Sequence, residues 1–448
     1  MMQQPVSSAS PFATPMRSRQ NRIQKFTRKQ LWVALITLLL LSSCTSADLA
    51  RLLATPIAPT VNTANATVPL TTGGNRLLIL GRDGNLFTVN PDGTVPVALT
   101  TDASSTRAYA QATWSTSGEK IGWTRVDQNA AGLTSMLLTS RTDGSERTET
   151  ATPFAPFYLY WSPDDSTLAY LSNWLGDQGQ TIALQTVDLT NDSSKPTLVD
   201  TGQPLYFSWA PDSKQMVTHV ANARAALVSL ASGEVTVLSE ASANFAAPQW
   251  STTGDRLLFV TDIDSIPQLV LSDTQGENAQ LITNISREDA ISFSLNHQGT
   301  QLAYVETSEQ IGFSAFGPLF VYNLVREEFS QLSDGPVLAF AWSPDGAALF
   351  FLTAEAEGNR VWLRVNVWDG DRVRAYARFA PSSIFLREYL PFADQYMQSV
   401  RFWAPDSSAV VYAGVGDGGR RGVWVQPVNG DVQAELVTDG LFATWSPK

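Results

Sequence analysis

The chain has 448 residues, with 30 Lys+Arg against 42 Asp+Glu, 2 His and a single Cys. One cysteine excludes an intrachain disulfide and a Cys-rich metal cluster, and two histidines leave little for a His-based zinc site or His-dependent catalysis. Hydrophobic residues at 44% supply a core, so the body is not a disordered chain.

In chain order, the first feature is a basic start. All six basic residues before position 44 (Arg17, Arg19, Arg22, Lys25, Arg28 and Lys29) precede an apolar run from Leu31 to Leu41, and no acidic residue occurs there. That is the pattern of a secretory signal, and the run's eleven residues fall short of the ~20 that span a bilayer. Leu41-Ser42-Ser43-Cys44 follows and resembles the lipobox of bacterial lipoproteins, which implies that Cys44 becomes a lipidated N-terminus. Residues 1–43 are therefore expected to be a signal peptide, with Met16 as an alternative start to Met1. The expected location is the bacterial cell envelope, exported and lipid-anchored on the periplasmic or extracellular side. Without this segment the balance is 30 − 6 = 24 basic residues against 42 acidic, a charge of −18 that repels phosphate backbones. Nucleic acid is not an expected partner. Residues 44–72, rich in Thr, Ala and Pro, read as a flexible tether.

Past residue 72 the chain repeats. Trp161, Trp209, Trp342 and Trp403 open WSPDDSTLAY, WAPDSKQMVT, WSPDGAALFF and WAPDSSAVVY; Trp114 and Trp250 open looser copies, Leu295 replaces Trp in another, and Trp445 opens a stub. Successive spacings are 47, 48, 41, 45, 47, 61 and 42 residues. A period of ~40–50 residues built from short strands predicts a β-propeller. Each Trp ends an apolar inner strand, Pro-Asp-Gly or Pro-Asp-Ser makes a turn, and three further strands follow. Residues 73–448 are thus expected to form an all-β, eight-bladed propeller of four-stranded antiparallel blades, with seven blades as the alternative. Residues 75–99 lack a Trp strand and residues 441–446 supply one, so the two ends are expected to pair and close the ring.

The WSPDGxxLAY pattern resembles the repeats of the Tol-system protein TolB and of the dipeptidyl-peptidase and prolyl-oligopeptidase propellers. The resemblance implies the fold and little about activity. TolB-type proteins carry an α/β domain before the propeller, where this sequence has the tether. The peptidases carry a G-x-S-x-G nucleophile elbow, which this sequence lacks. His219 and His297 have no nucleophile pattern around them. The chain is therefore expected not to be an enzyme, and to need no cofactor and no metal.

The repeating tryptophans are expected to pack between neighbouring sheets. Residues that do not repeat are the better functional candidates, because the fold does not demand them. The long lead-in at 380–400 brings together Glu388, Tyr389, Phe392, Asp394, Gln395 and Tyr396. Other loops on that face add Arg107, Tyr109, Tyr158, Trp174, Tyr206, Arg287 and Arg420. Aromatic rings beside carboxylates and amides suit a glycan or a peptide side chain. The alternative for 380–400 is that it plugs the channel or covers an outer edge. The function expected is a monomeric, non-catalytic envelope protein that binds a protein or glycan on its channel face, in assembly, sensing or scaffolding. The alternative is a polysaccharide-acting enzyme that uses Glu388 and Asp394.

Overall fold

The computed structural model describes residues 75–448, apart from 177–178, 192, 222, 241–243, 312–313 and 358–359 and the side chains of 239–240 and 310–311. Cys44, the signal segment and the tether lie outside the described residues. Strands make up 57% of the structure and helix 4%, so the all-β reading holds.

The sheets follow the repeat. Leu77–Leu80, Leu86–Val89 and Val97–Ala98 form a four-stranded sheet with the last strand, Phe442–Trp445. Leu77 stands opposite Trp445 and Leu80 opposite Phe442, so the expected pairing of first and last segments is present. Four consecutive strands make each of the next four sheets. Their inner strands are Arg107–Trp114, Pro156–Trp161, Leu205–Trp209 and Gln249–Trp250.

The remaining main strands join in one ten-stranded sheet, from Ala290–Leu295 to Glu435–Thr438. It has two joins: Val373–Pro381 pairs with Ala409–Gly416, and a single long strand makes the other. The strand Glu328–Trp342 is 15 residues long, and its first part pairs with Gly317–Asn323 while its second part pairs with Leu349–Glu357. One unbroken strand is thereby outermost in one unit and innermost in the next.

The motif explains how neighbouring units lock. The indole Nε1 of Trp209 donates to Tyr160 O (3.1 Å), that of Trp342 to Ser294 O (2.9 Å), that of Trp403 to Ala341 O (3.0 Å) and that of Trp114 to Thr444 O (3.3 Å). Each accepting carbonyl belongs to the residue just before the motif position of the preceding repeat. Trp161 and Trp445 are buried without such a bond and pack by shape alone. Where Leu295 replaces Trp, Gln249 reaches across instead: its Nε2 donates to Phe293 O (2.9 Å) and its Oε1 accepts from Leu295 N (3.1 Å).

The fifth motif position is left-handed throughout. Gly118, Gly254, Gly299 and Gly346 have φ of 78°, 73°, 67° and 65°, and Asp165, Ser213 and Ser407 have 58°, 62° and 62°. Glycine takes this conformation without steric cost, whereas the other three do not. In compensation their side chains hold the preceding turn: Asp165 Oδ1 accepts from Thr116 N (2.6 Å), Ser213 Oγ from Asp164 N (3.1 Å) and Ser407 Oγ from Asp345 N (3.2 Å).

Candidate functional site

The segment at 380–400 does not stand out as a loop. It folds into three short helical turns, Phe385–Tyr389, Leu390–Phe392 and Ala393–Tyr396, within the largest hydrophobic cluster. Pro391 is the second residue of the middle turn, where its missing N–H costs nothing. This plug meets every inner strand. Tyr389 stacks on Phe442 with centroids 4.0 Å apart, and Thr113 Oγ1 donates to Ser399 O at 3.1 Å. Tyr396 OH donates to Phe157 O at 2.6 Å and meets Gln111 Oε1 at 3.0 Å. Gln398 Nε2 donates to Pro248 O (3.2 Å).

The tightest match is Gln395. Its Oε1 accepts from Phe207 N (2.9 Å), and its Nε2 donates to Phe207 O (2.8 Å) and Tyr158 OH (2.9 Å). The side-chain amide thus takes the place of a strand against the free edge of an inner strand. Ala393, Asp394 and Met397 close the remaining gap against Ser292, Phe293, Leu338 and Ala339, leaving a void of about 10 Å³. That is room for roughly one water and for no ligand.

Burial sets the chemistry of the two plug carboxyls. Asp394 accepts from Ser314 Oγ (2.9 Å) and lies beside Tyr206; burial pushes its pKa up to about 6, against the pull of those hydroxyls. Glu388, which accepts from Gln111 Nε2 (3.3 Å), is pushed up by burial to about 7, with Arg387 opposing. The expected exposed cluster is corrected accordingly. Tyr158, Tyr206, Tyr389, Asp394, Gln395 and Tyr396 are buried, while Glu388 and Phe392 are half-buried. These side chains hold the plug in place of lining an open cleft.

The other candidates lie apart from the plug. Arg107 Nε donates to Asp127 Oδ1 (2.6 Å) and its other arm to Asp102; Tyr109 OH donates to Asp102 Oδ1 (2.6 Å), and Arg125 joins Asp127 (2.8 Å) to Glu149 (2.9 Å). The two carboxylates hold the Arg107 guanidinium firmly charged. Burial first, then Asp102, raises the Tyr109 hydroxyl to about 12. An open recess of about 430 Å³ adjoins this network, lined by Asp102, Ser104, Arg107, Asp127, Gln128 and Asn129 among others. Trp174 is half-exposed, edge-on to Phe154 at 6.2 Å and next to Leu175, which is 71% exposed. Arg287 is exposed and bonded to Asp262 (2.9 Å), and Arg420 lies over Trp424 at 5.8 Å.

His219 is buried with Nδ1 on Ala246 O (2.9 Å), and burial lowers its pKa to about 4, so it stays neutral. Among the described residues no group of three or more His, Cys, Asp or Glu could hold a metal ion. Sequence reasoning missed Gln111, buried and left-handed at φ 55°, for which the sequence carries no signal. It also missed Arg401, for which the repeat does carry one.

No family model and no curated protein matches the sequence. Solved structures do. The tricorn protease matches at 10% identity and TM-score 0.46, over 81% of this chain and 38% of that one, so the chain spans well under half of that protein. A eukaryotic initiation factor matches at 11% identity and TM-score 0.51, over 83% of this chain and 98% of that one. TolB from Acinetobacter baumannii matches at 15% identity and TM-score 0.37, over 72% and 82%. These likenesses concern the fold alone, a β-propeller. They also overturn the expectation that the chain is not an enzyme. Structures of like fold include the tricorn protease, an oligogalacturonate lyase in complex with manganese and an acylaminoacyl peptidase, so enzymes use this fold.

Proposed function

We propose that the chain is an exported eight-bladed propeller of the bacterial cell envelope, lipid-anchored through Cys44, that binds a protein or glycan on the face where the inner strands begin. The observation that carries this reading is the division of labour on that face. The plug fills the centre, and the open polar recess beside Arg107 stands at its rim. Carboxylates, a guanidinium, amides and hydroxyls in one recess are the donors and acceptors that recognise a sugar or a peptide backbone. The half-exposed Trp174 with Phe154 and Leu175 supplies an apolar neighbour on the same side of the sheets.

The test has two arms. Cys44→Ser is expected to abolish fatty-acid incorporation and release the protein from membranes. Gln128→Ala with Asn129→Ala is expected to remove most partner or glycan binding while the fold is kept. Unchanged membrane attachment and unchanged binding would reject the reading.

A second reading, action on a polysaccharide, draws support from Glu388, the plug carboxyl that stays half-buried beside Gln111 (3.3 Å) and is pushed up by burial to about 7, as suits a general acid. Glu388→Gln would then abolish product formation from an envelope glycan. Equal product from the variant would reject it.

A further inference from the structure

The residue two places before each motif position is Ala112, Leu159, Phe207, Pro248, Phe293, Phe340, Arg401 and Ala443 in turn. Seven are apolar and one is an arginine. The fold therefore does not ask for a charge there. Arg401 follows the plug immediately and is clamped by its backbone: its N donates to Thr444 Oγ1 (3.0 Å), and its O accepts from Trp445 N (2.8 Å) and from Thr444 Oγ1 (3.1 Å).

Its guanidinium makes no hydrogen bond and no ion pair with any described residue, although it is only part-exposed. The exposed guanidinium groups of Arg326, Arg360, Arg387, Arg420 and Arg421 also stand without a bond, but among the described part-buried arginines Arg401 is the exception: Arg76 and Arg256 donate to neutral oxygens. Arg107, Arg125, Arg224, Arg364, Arg374 and Arg378 all pair with carboxylates. Burial lowers the pKa of Arg401, with Tyr160 and Asp165 opposing. Asp165 is no ion-pair partner, since its carboxylate already accepts from Thr116 N and from Ser117 N (3.1 Å). None of its side-chain nitrogens is among the fully buried unpartnered atoms, so its N–H donors are open to an acceptor that enters from outside the chain.

Of the residues just before the motif positions, Tyr160, Gln249, Ser294 and Ala341 are part-exposed while Thr113, Ser208, Phe402 and Thr444 are buried, so the inner strands are open at this level on part of their circuit. These positions lie toward the motif turns, at the end of the strands away from the face that carries the recess.

We propose that Arg401 is an anion-binding site at the turn-side mouth of the channel, taking two oxygens of one group, a carboxylate or a phosphate, in bidentate fashion. A guanidinium fork matches such a group in geometry as well as charge. The site is separate from the recess beside Arg107, and it stands whether or not that recess binds a partner.

The test is equilibrium titration of the full chain with sodium acetate and with inorganic phosphate, each replacing sodium chloride at constant ionic strength. One saturable site is expected. Arg401→Met should weaken it at least tenfold, and Arg401→Lys should leave part of it. Saturation by acetate alone assigns the site to a carboxylate, and by phosphate alone to a phosphoryl group. Equal binding by Arg401→Met, or none by the unaltered protein, overturns the proposal. Thermal unfolding in chloride gives a second reading. Arg401→Met should unfold no lower than the unaltered protein, because it removes an unpaired cation. A clearly lower midpoint would make Arg401 a structural residue and overturn the site.

Discussion

The repeated wall and the unrepeated plug satisfy the same inner strands by different means. In the wall, backbone pairs with backbone, and one indole per repeat reaches the neighbouring carbonyl. In the plug, side chains replace strands: Gln395 pairs with Phe207, Tyr396 with Phe157, and Tyr389 stacks on Phe442. The wall's bonds recur and are individually replaceable, as Gln249 shows where Leu295 stands for Trp. The plug's contacts occur once, so each loss should be felt in full.

That contrast can be broken at several points. The largest effect is expected for Tyr396→Ala, which empties a buried aromatic site and leaves Phe157 O without its donor. A loss of about 3–5 kcal/mol in urea unfolding is expected. A loss no greater than that of Trp209→Phe would erase the distinction between wall and plug. Gln395→Leu comes next, because it strands the N–H and C=O of Phe207 in an apolar setting. About 2–3 kcal/mol is expected, together with faster hydrogen exchange at Phe207.

The third prediction concerns pH. Burial raises the carboxyls of Glu388 and Asp394 to about 7 and 6, above their values in an unfolded chain. Their contribution is therefore whole below about pH 4 and declines as pH rises through the folded values. Glu388→Gln should flatten the unfolding midpoint between about pH 4.5 and 7 relative to the unaltered protein. His219 acts in the opposite sense: its lowered value of about 4 costs stability as pH falls below about 6.5. His219→Gln should remove that acid-side loss, again read from midpoints across pH. The smallest effect is expected in the wall. Ser213→Gly relieves a left-handed serine and loses one bond to Asp164, so under about 1 kcal/mol should separate it from the unaltered protein.

The periodic part of this molecule was open to reading because identical positions do identical work. Trp114, Trp161, Trp209 and Trp342 recur at the ends of inner strands, Trp403 holds the same place through a single bridge to Val410, and the Pro-Asp steps recur as turns. The ten-stranded sheet was not legible, since nothing in the sequence marks Glu328–Trp342 as unbroken through the lead-in. The stretch 380–400 was visible as an exception, but its mixture of charge and aromatic rings reads equally well as an exposed binder or a buried filler. What settles the matter is that Gln395 meets Phe207 across 188 positions of chain, a match of shape that local composition does not encode. Arg401 was readable in principle, by laying the eight repeats side by side and asking which position breaks the apolar column.

The two ends of the described chain meet in one hairpin-like seam, with Leu77 against Trp445 and Asn75 N donating to Lys448 O. Force applied at those ends would open the seam one rung at a time, as a zipper yields, instead of loading all its rungs together in shear. The molecule should therefore be mechanically softest at the place where it is covalently discontinuous. Fresh termini cut between two other sheets, with the native ends fused, would move that weak point elsewhere around the assembly.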